Sequence, residues 1–239
     1  MDNETKRRPV VDLELIRGLY REHADALRSV RESRRAHRAA HPSLKVQLDD
    51  VEAEISYLLL RHFRPAKVVE IGSLHGWSTG WILHALKDNG TGILITMDLI
   101  DNATSGVPKS LAEGRWEFRQ CDARNQPAGW ADGLDYLFID ADHSARFARW
   151  YLRDVFPRLA KGTPVSVHDV FHRAKPLPFT EGVEVLSWLY LHATPYFTAA
   201  RAKAPLVARA ELADLRRELG LGPDLHHGRD NPMIYFRLR

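Results

Sequence analysis

The residues of this sequence with types and spacing suited to chemistry fall in a fixed order along its middle. Val68-Val69-Glu70-Ile71-Gly72-Ser73-Leu74-His75-Gly76-Trp77-Ser78-Thr79 reads as an apolar strand that passes through a glycine turn into a helix. Gly72 permits a turn that a β-carbon would obstruct, and Gly76 lets the backbone pass close to a ligand. Asp98 ends the next apolar run, where its carboxylate can accept both hydroxyls of a ribose. Asp122 follows the third run, where it can meet an adenine amine. Glu70 discriminates between ligands: a carboxylate beside the turn repels a pyrophosphate but suits a ligand that carries an ammonium and a sulfonium. Gly72 and Gly76 are also spaced differently from Gly-x-Gly-x-x-Gly, so the segment favours S-adenosylmethionine over a dinucleotide.

A second group lies further along. Phe138-Ile139-Asp140-Ala141-Asp142-His143-Ser144 closes a fourth apolar run and Val167-His168-Asp169-Val170 a fifth, so Asp140, Asp142, His168 and Asp169 emerge at neighbouring strand ends. An attacking hydroxyl must lose its proton, and an imidazole with an unperturbed pKa of ~6.5 is suited to receive one near neutrality. His143 is therefore expected to be the general base. Trp77, His172 and Phe179 are expected to shape the acceptor pocket.

These side chains need a scaffold that brings several strand ends to one edge. Strands are expected at Lys67 to Ile71, Ile93 to Asp98, Trp116 to Gln120, Tyr136 to Asp140, Pro164 to His168, near Tyr196 to Ala199, and at Met233 to Leu238. Helices fit at Ser78 to Lys87, Ala145 to Leu159, Val183 to Leu191 and Ala208 to Leu219. Short apolar runs alternating with helices predict an α/β fold, a Rossmann-like doubly wound and mostly parallel seven-stranded sheet closed by a hairpin. Ahead of it, Val11 to His41 reads as one amphipathic helix and Leu48 to Phe63 as another. Residues 1–64 are taken as an N-terminal helical cap and residues 65–239 as the ligand-binding domain.

Composition narrows the function classes. The 239 residues carry a net charge of +3, spread over Arg-rich helical segments, which is a weak basis for nucleic-acid binding. A single cysteine excludes an internal disulfide, and no long apolar run or leader precedes the core, so a cytoplasmic protein without a membrane partner is expected. The N-terminal helices are expected to pack against a second copy in a homo-oligomer or to close over the site.

The motif Glu70-x-Gly72-x-x-x-Gly76-Trp77-Ser78 resembles the first motif of the catechol O-methyltransferase-like branch of class I S-adenosylmethionine-dependent methyltransferases. The segments Phe138 to Ser144 and Val167 to Val170 resemble a related branch of bacterial O-methyltransferases that act on sugars and other natural products. The resemblance covers Lys67 to Val170. It implies that Glu70, Gly72, Ser73, Gly76, Ser78, Asp98, Asp122 and Asp140 contact or shape the S-adenosylmethionine pocket. It also implies that Asp140, His168 and Asp169 are metal ligands, with a histidine where magnesium-dependent relatives carry a carboxylate, so that Mg²⁺, Mn²⁺, Fe²⁺ or no ion remain open. The implied activity is O-methylation of a small-molecule acceptor in secondary metabolism. Metal-free N- or carboxyl methylation, cyclisation or elimination of S-adenosylmethionine, and non-catalytic ligand or RNA binding stay as alternatives.

Overall fold

The computed structural model describes residues 10–127, 129–171, 176–201, 206–228, 230 and 232–239. Seven strands form one sheet: β1 (Lys67–Ile71), β2 (Ile93–Asp98), β3 (Trp116–Gln120), β4 (Tyr136–Ile139), β5 (Pro164–Val167), β6 (Tyr196–Thr198) and β7 (Ile234–Arg237). Their order is β3-β2-β1-β4-β5-β7-β6. The first five are parallel, and β7 runs antiparallel between β5 and β6. The strand order reverses between β1 and β4, so the connections that leave their carboxyl ends diverge and a crevice forms beside the paired strands, the place where open α/β sheets bind ligands.

Alternation along the strands divides the core. Val68, Leu94, Tyr136, Phe138 and Tyr235 face one layer, with helices α1 (Leu13–Glu22), α2 (Ala24–Ala40), α3 (Asp50–Phe63) and α4 (Trp77–Asn89). Val69, Ile71, Ile95, Leu137, Ile139, Val165 and Phe236 face the other. Two helical turns, α5 (Ala103–Gly106) and α6 (Lys109–Ala112), lie between β2 and β3. Then come α7 (Ala145–Trp150), α8 (Glu181–Leu191) and α9 (Leu206–Glu218).

Two helices differ from the sequence expectation. The expected Val11 to His41 helix is broken at His23, whose ψ of 19° leaves the helical range. The apolar period runs across the break, with Ile16, Leu19, Tyr20, Leu27 and Val30 all buried, so the pattern does not reveal it. The expected Ala145 to Leu159 helix widens into a π turn at Tyr151–Val155 and tightens to a 3-10 turn at Phe156–Arg158, where Pro157 has no N–H to continue the ladder.

The N-terminal helices are tied to one another and to α9 by charge as well as by packing. Arg31, buried on α2, bonds to Asp50 and Glu54 of α3, and Glu54 also receives Arg216 of α9 at 2.7 Å and Tyr20 at 2.8 Å. Among the described residues, no helix is long and apolar enough to cross a membrane.

Candidate active site

The crevice at the ends of β1, β2 and β4 holds a cavity of about 290 Å³. Gly72, Asp98, Asp122 and Asp140 line it together, with Ile71, Met97 and Phe147 as apolar walls. Gly72 takes a φ of 86°, and a β-carbon there would lie 2.6 Å from the Asp140 carbonyl carbon and 2.8 Å from Ala141 Cα. The glycine therefore lets β1 and β4 close on each other beside the cavity. Asp98 Oδ2 accepts from Ser73 N at 2.8 Å and Leu74 N at 3.0 Å, which fixes the glycine turn. Among the described residues, its Oδ1 accepts only a long contact from Ile100 N at 3.3 Å. Asp122 is engaged by Arg124, which holds its carboxyl below the ordinary value.

Four expected pocket residues lie behind this wall. Glu70 is 0% exposed and points to the helix layer, where it accepts from Ser78 at 2.6 Å, Thr79 at 2.7 Å and Thr96 at 2.8 Å. Burial pushes its carboxyl up to about 7, against the three hydroxyls, which favour the anion. Glu70 thus fastens β1 to α4 and β2, and the cavity lining does not include it. Ser73 serves Asp98 and Ser78 serves Glu70. Gly76 makes its close approach to Val107, not to the cavity.

Beyond Asp140 the site becomes a cluster of acids around two imidazoles. Asp140 Oδ1 lies 3.1 Å from His168 Nδ1 and 3.8 Å from His143 Nε2. His143 Nε2 lies 3.1 Å from Asp169 Oδ2, and its Nδ1 is bonded to Glu181 at 3.0 Å. His168 Nε2 lies 3.4 Å from Glu52 of α3. Burial disfavours a charge on His168, but Asp140 and Glu52 outweigh it and raise its pKa well above the imidazole value. His143 behaves alike: burial lowers its pKa, and Glu181, Asp169 and Asp140 raise it overall. Asp140 is buried, which would raise its pKa, yet the two histidines bring it below the ordinary carboxyl value.

Among the described residues, Asp140, His143 and Asp169 each place one ligand atom within 4.8 Å of the others. His143 enters the set expected for His168, which is turned between Asp140 and Glu52 instead. Among the described residues, none bonds to the buried Asp140 Oδ2, so this acidic, one-nitrogen donor set fits a divalent cation.

The acceptor residues expected from sequence separate. Trp77 is 1% exposed, packed under Arg34 at 4.2 Å and against Trp81, and belongs to the core. Phe179 is 90% exposed with a φ of 63°, next to the site, since its carbonyl accepts from Ala145 N. His172 lies outside the described residues. Sequence reasoning missed Glu52, Glu181 and Tyr151. Glu52 did leave a signal, because Asp49-x-x-Glu52 is a capping box at the start of α3, but a capping role conceals its reach to His168.

Comparison with known proteins agrees with this architecture. No curated protein matches the chain by sequence. The fold is similar to that of an O-methyltransferase from Bacillus cereus in complex with SAH, at 17% identity over 95% of this chain and 100% of that one, with a TM-score of 0.53. It is also similar to the O-methyltransferase TomG from Streptomyces achromogenes, involved in tomaymycin synthesis and in complex with SAM, at 17% identity over 88% and 90% of the two chains, with a TM-score of 0.51. The family model described as a methyltransferase domain matches residues 69–170, the segment that carries Gly72, Asp98, Asp122, Asp140, His143 and Asp169. Residues 69–170 thus match a methyltransferase domain, within a fold that the chain shares with these O-methyltransferases.

Proposed function

We propose that the protein transfers a methyl group from S-adenosylmethionine to a hydroxyl of a small-molecule acceptor. The observation that carries this reading is the double position of Asp140, which lines the cavity on one side and joins the acid–imidazole cluster on the other. A donor in the cavity and an acceptor at the cluster would then meet across one residue. Asp98 is assigned to the ribose hydroxyls through Oδ1, and Asp122 to the adenine edge. Gly72 and Ser73 shape the turn that faces the donor.

Asp140, His143 and Asp169 would hold a divalent cation, which supplies a Lewis acid that eases ionisation of a nearby hydroxyl. A nitrogen in the set favours Mn²⁺ or Fe²⁺ over Mg²⁺. Since His143 Nε2 faces the two aspartates, we assign it as a ligand in place of the general base expected from sequence. In the transfer the sulfur–methyl bond breaks as the oxygen–methyl bond forms, the sulfonium becomes a thioether, and the hydroxyl proton leaves through partly exposed Asp169 to water. Holding donor and acceptor in line is worth on the order of 7–11 kcal/mol relative to a free encounter.

The likeness to TomG and the exposed Phe179 support an acceptor of natural-product type with an apolar portion. The test is incubation with methyl-labelled S-adenosylmethionine and a panel of phenolic and sugar hydroxyl acceptors, with and without chelator. Label in an ether product, lost in chelator, is expected. Transfer to nitrogen or carboxylate, or full activity in chelator, would overturn the assignment.

A further inference from the structure

His143 is held from both ends, and the hold on its far side comes from a residue outside the methyltransferase motifs. Glu181 opens α8 and is fully buried. One of its oxygens lies 3.0 Å from His143 Nδ1, and the other accepts from Tyr151 OH at 2.8 Å. The backbone locks the same junction, since Glu181 N donates to the His143 carbonyl at 2.8 Å and Ser144 bridges Thr180. Tyr151 begins the π turn that follows α7.

A carboxylate only accepts, so the group it faces on His143 must be Nδ1–H. With the hydrogen on Nδ1, the lone pair sits on Nε2, and Nε2 is the atom beside Asp169 and Asp140. Without this acceptor, the remaining carboxylates, Asp169 at 3.1 Å and Asp140 at 3.8 Å from Nε2, would draw the hydrogen to Nε2 instead. Second groups that orient an imidazole in this way change metal affinity by ~10- to 100-fold.

We propose that Glu181, steadied by Tyr151, is a positioning residue that fixes His143 with its hydrogen on Nδ1 and so makes Nε2 the nitrogen ligand of a divalent cation shared with Asp140 and Asp169. This rests on the cation reading above and is independent of which acceptor is methylated.

The test titrates Mn²⁺ into the full chain, following free Mn²⁺ by electron paramagnetic resonance, with S-adenosylhomocysteine affinity measured by calorimetry on each variant. Glu181→Ala is expected to weaken Mn²⁺ binding by ~10- to 100-fold and leave S-adenosylhomocysteine affinity unchanged. Glu181→Gln keeps a carbonyl oxygen for Nδ1–H and is expected to recover most of the loss. His143→Ala combined with Glu181→Ala should bind Mn²⁺ no more weakly than His143→Ala alone, because the glutamate acts through the histidine. If the alanine variant does not fold, Glu181→Leu carries the same expectation. Wild-type affinity in Glu181→Ala, or additive losses in the double variant, would overturn the proposal. A wild type that binds S-adenosylhomocysteine but no Mn²⁺ would overturn it too, while leaving the methyltransferase reading standing. Mn²⁺ binding that depends on Glu181, in a chain that ignores S-adenosylhomocysteine, would uphold the proposal and remove that reading.

Discussion

Replacing Gly72 by alanine tests whether the cavity depends on close passage of the two central strands. The residue sits at a φ of 86°, and its β-carbon would lie 2.6 Å from the Asp140 carbonyl carbon and 2.8 Å from Ala141 Cα, both of them backbone atoms. A left-handed non-glycine residue costs roughly 1–2 kcal/mol. Forcing a methyl into a packed space adds roughly 1–3 kcal/mol. The sum of about 2–5 kcal/mol lowers the melting temperature by roughly 4–20 °C for a chain of this size. The strain falls on Asp140, so function should suffer beyond stability: a displacement of about 1 Å at a site can cost ~100-fold. Gly90 is the control, with a φ of 68° and nothing within 4 Å of an added β-carbon. Gly90→Ala should show the left-handed cost alone and keep wild-type affinity for S-adenosylhomocysteine. Calorimetric titration and thermal melts of both variants are the assay. If Gly72→Ala binds S-adenosylhomocysteine as tightly as Gly90→Ala, the argument from close passage is refuted.

Three further outcomes follow from the structure. The Glu70 carboxyl is raised from 4.5 to about 7, so the native state holds a proton that the unfolded chain has released, and this contribution to stability is lost as pH rises from about 4.5 through 7. Glu70→Gln should therefore melt at a progressively higher temperature relative to wild type as pH rises, by the equivalent of about 3 kcal/mol, and a difference independent of pH would contradict it. Arg31→Ala leaves Asp50 and Glu54 short of a buried partner and is expected to cost about 3–5 kcal/mol in denaturant unfolding. A loss under about 1 kcal/mol would mean that α2 is held by packing alone. Treatment with chelator should remove methyl transfer, and Mn²⁺ should restore it better than Mg²⁺. Equal restoration by Mg²⁺ would argue against a nitrogen ligand.

The sheet was legible because its signal is local. β1, β2, β4 and β5 are short, largely apolar runs and β3 alternates apolar with polar residues, and the five parallel strands fall where these patterns do. The cavity residues Gly72, Asp98, Asp122 and Asp140 share that property, each standing at a strand end. What sequence could not supply was direction. Glu70 lies two residues before the turn, and whether its carboxylate faces the cavity or the helix layer depends on the hydroxyls of Ser78, Thr79 and Thr96, which meet only in the folded chain. Trp77 next to a glycine turn reads as a ligand contact until Arg34, far earlier in the chain, is seen stacked on it. The partners of the two histidines were illegible for the same reason. Glu52 arrives from the N-terminal helices, where its motif announces only a helix cap, and Glu181 comes from beyond β5 with no motif of its own.

The measurement that bears most directly on the account is calorimetric titration of the full chain with S-adenosylhomocysteine, repeated on Asp98→Ala. The account predicts one site per chain, weakened ~10- to 100-fold in the variant by loss of hydrogen bonds to a charged acceptor worth about 1.5–3 kcal/mol. A wild-type chain that gives no binding heat with either S-adenosylhomocysteine or S-adenosylmethionine would contradict it.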